Sequence, residues 1–243
     1  MSVRTARLAL VACAFGITAA ASAAPVMGGS SGSFSNLGGC ASAGASRDCR
    51  VVNTSQGLSS QLQWGSTSIS RDFASPSTLT ARATGWALGT PADDVVLARL
   101  DWFNSATRAD RTPDDLSARW NLSMAFVLPL RSRDPIAFEA FDLSIVNTPN
   151  PRGDMLSGFT LVDLAGIELS LAGVRISDMK YSVTGGASSL SADRVWSNPE
   201  GNLSSLLITA DFGTVPEPGV FALLGLGALG LVAARRKQRP GSR

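Results

Sequence analysis

Along the middle of the chain, apolar and polar residues alternate with a period of two. The longest alternating run covers residues 116–130, where eight apolar side chains fall on one face. They are Leu116, Ala118, Trp120, Leu122, Met124, Phe126, Leu128 and Leu130. Because successive side chains of a β-strand point to opposite faces, this run predicts a strand with one buried face.

Shorter runs alternate in the same way at residues 167–171, 179–183 and 206–212. Between Ile136 and Ile145 the apolar phase changes, as it does at a β-bulge or bend. Turn residues such as Gly, Pro and Asn separate the runs, and no stretch of the body has a long helical period. We therefore predict an all-β domain over residues 51–214, built as an antiparallel β-sandwich or a jelly roll.

Residues 24–50, which precede the predicted domain, are rich in Gly, Ser and Ala. Such a composition buries little apolar surface, so it predicts a flexible or loosely packed lead-in. Cys40 and Cys49 lie in this segment and predict a structural disulfide in an oxidising compartment. A two-cysteine metal site is a poor alternative because no further soft ligand is nearby, and we predict no metal or cofactor.

The first 23 residues have the pattern of a secretory signal peptide. Arg4 and Arg7 precede an apolar run, and Ala21-Ser22-Ala23 forms a cleavage site. This pattern predicts export through the Sec translocon and removal of residues 1–23 by signal peptidase. A lipobox ending at Cys13 is the alternative, although it leaves a shorter apolar core than signal peptides usually have.

The C-terminal segment, residues 215–243, combines three features in a fixed order. Pro216-Glu217-Pro218 comes first, an uncharged apolar run over 219–234 follows, and Arg235-Arg236-Lys237 opens a basic tail over 235–243. As a helix, residues 219–234 would extend roughly 24 Å at 1.5 Å per residue. Basic flanking side chains reach the head groups and remain cytoplasmic, which predicts a membrane helix with the bulk of the chain outside.

These three features together resemble the PEP-CTERM sorting signal of Gram-negative bacteria that make extracellular polysaccharide. The resemblance implies recognition by an exosortase, a membrane-embedded cysteine transpeptidase. It also implies that the inner membrane holds the precursor only transiently before the mature form reaches the cell surface or the medium. A permanent single-pass anchor is the alternative.

Charge and composition exclude several functions. Of the 21 basic residues, two precede the predicted cleavage site and five follow Gly219, so the exported body has 14 basic against 19 acidic residues. Its net charge of about −5 makes nucleic acid an unsuitable partner. The chain contains no histidine, which excludes Ser-His-Asp and Cys-His catalysis and His-ligated zinc or copper.

The body also resembles a second group, the choice-of-anchor K and THxN proteins of bacteria. Four short segments carry the resemblance: Gln63-Trp64-Gly65, Leu100-Asp101-Trp102-Phe103-Asn104, Val146-Asn147-Thr148-Pro149-Asn150 and Tyr181-Ser182-Val183. Where THxN members have Thr-His-x-Asn, this chain has Asp101-Trp102-Phe103-Asn104, so only the asparagine matches. The resemblance implies no catalytic residues.

Two kinds of side chain are candidates for chemistry or binding. A carboxylate pair would support glycoside hydrolysis and loop carboxylates would support calcium binding; the candidates are Asp93, Asp94, Asp114, Asp115, Asp142, Asp154 and Asp163. Exposed tryptophans would bind sugar rings, and Trp86, Trp102 and Trp196 are the candidates, with core packing as the alternative.

From these features we expect a non-enzymatic, exported protein with a structural or interaction role at the cell surface. A carbohydrate-binding module for exopolysaccharide is the second expectation, and a carboxylate-dependent glycoside hydrolase is the third.

Overall fold

Fourteen β-strands make up the part of the chain that the computed structural model describes. This part comprises residues 25–39, 49–53, 59–65, 75–89, 91–107, 112, 114–128, 136–148, 153–159, 169–171, 174–214 and 227. The strands are β1 Val26–Gly38, β2 Cys49–Asn53, β3 Ser59–Trp64, β4 Ser77–Arg82, β5 Thr84–Leu88, β6 Ala92–Phe103, β7 Asp115–Leu128, β8 Ile136–Val146, β9 Asp154–Ser157, β10 Leu169–Leu171, β11 Val174–Thr184, β12 Ser189–Leu190, β13 Trp196–Asn198 and β14 Leu203–Thr214.

The strands form two sheets of seven strands each, counted over the described residues. Sheet A has the order β12-β13-β9-β8-β7-β1-β5, and sheet B has the order β10-β11-β14-β6-β4-β3-β2. Neighbouring strands are antiparallel in both sheets. Side chains from both sheets form one apolar core, so the predicted antiparallel β-sandwich is confirmed.

The period-two pattern correctly identified the inward faces of the central strands. In β7 every second side chain from Leu116 to Phe126 is buried, while Leu130 of the predicted run lies outside the described residues. In β14 the inward residues are Leu206, Ile208, Ala210 and Phe212, as predicted. The predicted bulge in β8 is also present, because Leu122 and Ser123 of β7 pair with Glu139 and Ala137 and leave one extra residue between them.

The glycine-rich segment 26–38 differs from the expected loose lead-in. It forms β1, which lies inside sheet A between β5 and β7. Its glycines are needed there because tryptophans pack directly on the strand: a Cβ on Gly28 would lie 2.9 Å from Trp86 Nε1, and one on Gly32 would lie 2.4 Å from Trp120 Nε1. The sandwich therefore begins near residue 26 rather than at residue 51.

Several predictions concern segments that the structure does not describe. The signal peptide at 1–23 and Cys40 lie outside the described residues, as does the C-terminal segment 215–243 apart from Gly227. Cys49 is buried and disulfide-bonded, while its pairing with Cys40 stays a prediction. No helix among the described residues has the length and apolar character needed to cross a membrane.

Candidate functional site

Three of the four segments that carry the body's resemblance converge at one end of the sandwich. Trp64 donates a hydrogen bond from its indole Nε1 to Asn147 Oδ1 at 3.0 Å. The rings of Trp64 and Trp102 have centroids 6.4 Å apart, and Trp102 meets Trp196 edge to face at 5.1 Å. The fourth segment lies elsewhere in the core, where Tyr181 contacts Phe159 at 5.7 Å.

A network of amides and hydroxyls lies beside these rings, and we call it the asparagine cluster: Asn104, Asn198 and Asn202 with Ser77 and Ser188. Asn104, Asn198 and Ser77 are buried, while Asn202 and Ser188 are partly buried. Asn198 Nδ2 donates to the Trp102 carbonyl at 3.0 Å, and Asn198 Oδ1 accepts from Ser188 Oγ and from Asn202 Nδ2, each at 2.7 Å. Because Asn198 belongs to sheet A and Trp102 to sheet B, the cluster joins the two sheets.

Asn104 holds the other side of this cluster. Its Nδ2 donates to the Asn198 carbonyl at 2.7 Å, and its Oδ1 accepts from Ser77 Oγ at 3.3 Å. Its backbone N–H donates to the Asn202 carbonyl at 3.0 Å, and its carbonyl accepts from Gly201 N–H at 2.6 Å. These bonds tie the end of β6 to the β13–β14 turn, so the one residue that matches the THxN motif has a structural task here.

Asp154 is the buried carboxylate of this end of the sandwich. Its Oδ1 accepts the backbone N–H of Thr148 at 2.9 Å. Burial raises the pKa of Asp154 to about 6; the bond from Thr148 and a bond from Asn104 lower it, and the charge of Glu200 raises it. Carboxylates with raised pKa values occur at catalytic sites, but they also occur where a carboxyl group secures a loop, as Asp154 secures Thr148.

The other candidate acids differ in position. Asp114 lies at the same end of the sandwich as Asp154, because its carbonyl accepts the N–H of Asn147, the neighbour of Thr148. Asp142 forms a salt bridge with Arg119 at 2.7 Å on the outer face of sheet A. Asp94 lies at a bulge of β6, 2.5 Å from Lys180 Nζ. Asp93, Asp114 and Asp115 lie at or next to the starts of β6 and β7, and Asp163 is outside the described residues. Within the described ranges, no group of three acidic or cysteine side chains has the arrangement of a metal site.

The tryptophans proposed as sugar contacts are buried. Trp86 is 6% exposed, and Trp102 and Trp196 are 0% exposed. Trp86 packs against Phe126 at 5.7 Å, and the other two rings pack on each other. The alternative of core packing therefore describes all three, and they form no sugar-binding platform on the surface of this fold.

The sequence reading missed a charged group on the outer face of sheet B. Asp101 accepts hydrogen bonds from Arg82 Nε, from Arg99 Nε at 2.6 Å and from Ser205 Oγ at 2.7 Å. Burial raises the pKa of Asp101, but the bonds from Ser205, Arg99 and Arg82 outweigh burial and hold the pKa below its ordinary value. Alternation along β6 placed Arg99 and Asp101 on one face, yet their alignment with Arg82 and Ser205 depends on strand order.

The described part of the chain is thus a two-sheet β-sandwich of a non-helical, all-β class. Its last strand ends at Thr214, and residues 214–237 match the family model of the PEP-CTERM protein-sorting motif. The match contains Pro216-Glu217-Pro218 and Arg235-Arg236-Lys237, so the sorting signal read from the sequence is confirmed. The chain is therefore an exported protein of the cell envelope or surface whose sorting depends on an exosortase.

Comparisons with curated proteins and with solved structures found no match. The resemblance of the body to the choice-of-anchor K and THxN group stays a prediction.

Proposed function

We propose that the mature protein is a non-catalytic structural or interaction component of the cell surface or of the extracellular polysaccharide matrix. The sorting motif that directly follows the last strand of the sandwich carries this proposal. The arrangement of the polar groups at one end of the sandwich supports it, because the asparagine cluster and Asp154 hold loops and sheets together. Side chains committed to such bonds stabilise a fold and are not poised to react with a substrate.

In this proposal the chain leaves the cytoplasm through the Sec translocon and loses residues 1–23 to signal peptidase. The C-terminal segment then holds the precursor in the inner membrane until the exosortase processes it. The sandwich remains as the mature body, with residues 26–38 inside sheet A as the strand nearest the new N-terminus. The Cys49 disulfide agrees with an oxidising compartment outside the cytoplasm.

The test of delivery is the intact mass of the protein recovered from the cell surface and from the medium. We expect a mass that begins after Ala23 and ends near Pro218, with or without an attached group. Replacing Pro216, Glu217 and Pro218 by alanine should leave a precursor that retains the C-terminal segment in the membrane fraction. Recovery of the unprocessed chain from the cytosol would overturn the proposal.

The test of a non-catalytic role is the release of reducing ends from the producing organism's own exopolysaccharide. We expect none above the background without protein. Release of reducing ends by the wild-type protein would favour a hydrolase instead. In that case a single substitution, Asp154→Asn or Asp101→Asn, should abolish the release while the thermal unfolding midpoint stays that of a folded protein.

A further inference from the structure

The outer face of sheet B is arranged in three rows that cross its central strands β4, β6 and β14. The strand registers place Thr78, Phe103 and Leu203 in one row, Thr80, Asp101 and Ser205 in the next, and Arg82, Arg99 and Leu207 in the third. The middle row is buried, while both flanking rows are more exposed. Short polar side chains therefore lie between an apolar row and a basic row.

The basic row contains two arginines that face each other. Arg82 and Arg99 are directly opposite in the β4–β6 pairing, an arrangement that is destabilising for like charges. The single carboxylate of Asp101 bonds the Nε atoms of both and compensates only one of the two charges. The side chains of Arg82 and Arg99 remain 56% and 47% exposed, so the row presents a net positive charge to solvent.

The apolar row contains an aromatic ring that solvent reaches. Phe103 is 37% exposed and Leu203, its direct partner across the β6–β14 pairing, is 59% exposed. Both residues adjoin the asparagine cluster, since Asn104 follows Phe103 and Asn202 precedes Leu203. The backbone bond between these two asparagines holds the ends of β6 and β14 together, so the apolar pair is on a rigid part of the sheet.

The face continues with amides towards the edge of the sheet. Arg50 Nε donates to Gln63 Oε1 at 2.7 Å, and Gln61 Nε2 donates to Thr80 Oγ1 at 2.9 Å. The result is a polar surface across five strands, which at about 4.8 Å per strand spacing extends roughly 19 Å. Guanidinium, amide and hydroxyl groups are hydrogen-bonding partners for carboxylates and for sugar hydroxyls.

Among the described side chains, the corresponding face of sheet A has a different character. There Arg119 and Asp142 form a one-to-one ion pair, and serines such as Ser31 and Ser123 bond each other at 3.1 Å. The exported body as a whole has more acidic than basic residues. Farther along sheet B, Lys180 is paired with both Asp94 and Asp178, so the positive surplus is local to the row of Arg82 and Arg99. A local positive surplus on an acidic body points to an anionic partner that binds at that row.

We propose that the outer face of sheet B binds an acidic polysaccharide, with the carboxylates of the polymer at Arg82 and Arg99 and a sugar ring against Phe103 and Leu203. An acidic glycan suits this face better than a nucleic acid or an anionic membrane. The face joins guanidinium groups to amides, hydroxyls and an aromatic ring, which together match the carboxylates, the hydroxyls and the apolar ring face of an acidic sugar. This inference rests on the proposed function, and it names the class of ligand that the surface protein would bind.

The test compares binding of the full-length protein, purified in mild detergent, to polygalacturonate and to neutral dextran. We expect saturable binding to polygalacturonate that weakens as salt rises. Arg82→Gln/Arg99→Gln should bind about fivefold more weakly, because it removes two exposed charge contacts to the polymer. Arg119→Gln is the matched control, because Arg119 is also half-exposed and paired with an aspartate, and it should bind within about twofold of wild type.

Loss of two arginines leaves Asp101 with fewer partners, so a second set of variants guards against unfolding. Arg99→Gln alone keeps the bond from Arg82, and Leu203→Ser removes an apolar side chain that is 59% exposed, while Phe103, which is 37% exposed, stays in place. Each set should weaken binding while the thermal midpoint stays close to that of the wild-type protein.

Equal affinity for dextran, an equal effect of Arg119→Gln, or equally tight binding to duplex DNA would overturn the glycan assignment. Binding to phosphatidylglycerol vesicles that Arg82→Gln/Arg99→Gln weakens as much as binding to polygalacturonate would also overturn it. Such results would leave surface delivery intact, because delivery is read from the mass of the processed chain. Release of reducing ends from the polymer would instead contradict the non-catalytic role and leave the binding face in place.

Discussion

Removing the amide of Asn198 tests whether the asparagine cluster holds the two sheets together. In Asn198→Ala the Trp102 carbonyl loses a donor at 3.0 Å, and Ser188 Oγ and Asn202 Nδ2 each lose a partner at 2.7 Å. Asn198 is fully buried, so no water takes the place of the amide without a cavity. Lost hydrogen bonds are worth about 0.5–1.5 kcal/mol each and unsatisfied buried groups cost about 1–3 kcal/mol.

Together these terms predict a loss of about 2–4 kcal/mol in the free energy of unfolding, less than the full sum because Ser188 and Asn202 still bond each other at 2.8 Å. Urea unfolding followed by tryptophan fluorescence measures the loss directly, since Trp102 and Trp196 lie beside the cluster. With a slope of about 2 kcal/mol per molar urea, the midpoint should fall by about 1–2 M.

Asn121→Ala is the matched control. Asn121 Nδ2 donates to Ser35 Oγ at 3.0 Å on the outer face of sheet A, where water replaces the lost bond. This variant should lie within about 0.5 kcal/mol of wild type. An Asn198→Ala midpoint no lower than that of Asn121→Ala would refute the reasoning that a buried amide network joins the sheets.

Three further predictions concern packing, pH and the disulfide. Gly32→Ala should lower the free energy of unfolding by about 1–3 kcal/mol, because its Cβ would lie 2.4 Å from Trp120 Nε1. Gly213→Ala is the control and should not destabilise, because its Cβ would have no atom within 4 Å. Equal urea midpoints for the two variants would contradict this prediction. The pKa of about 6 for Asp154 lies above its ordinary 3.8. The protonated carboxyl group therefore contributes fully to the free energy of unfolding at acid pH, and this contribution is lost as pH rises through about 6. Because Asn does not ionise, the free energy of unfolding of Asp154→Asn should rise relative to that of wild type by about 2–3 kcal/mol between pH 4 and pH 7.5. A difference in stability that does not change with pH would show that Asp154 does not titrate in this way. Reduction of the Cys49 disulfide should cost about 2–3 kcal/mol for a loop of about ten residues, and peptide mapping without reductant identifies its partner.

Local patterns were sufficient for much of the fold. The alternation in β7 and β14 predicted which side chains face inward, because pleating fixes side-chain direction along a single strand. It failed for residues 26–38, where the glycines read as flexible. Their small size is instead required by Trp86 and Trp120, and these tryptophans are far away in the sequence.

The candidate site was less readable. The sequence identifies the segments around Trp64, Asn104 and Asn147 separately, but nothing in it shows that they meet. The sequence alone leaves Trp102 and Trp196 open to sugar contacts, because burial of a side chain depends on which strands cover it. In the sequence Asp101 is identified only as part of a motif. Its bonds to Arg82 and Arg99 depend on strand pairing, which the sequence does not show.

The sequence by itself determined the all-β class and the sorting signal, because strand periodicity and a terminal motif are properties of contiguous residues. Only the tertiary structure decided that β1 lies inside sheet A between β5 and β7, that three asparagines join the sheets, and that two arginines face each other on sheet B. Those features depend on strand order and register, which bring together residues as distant as Asp101 and Ser205.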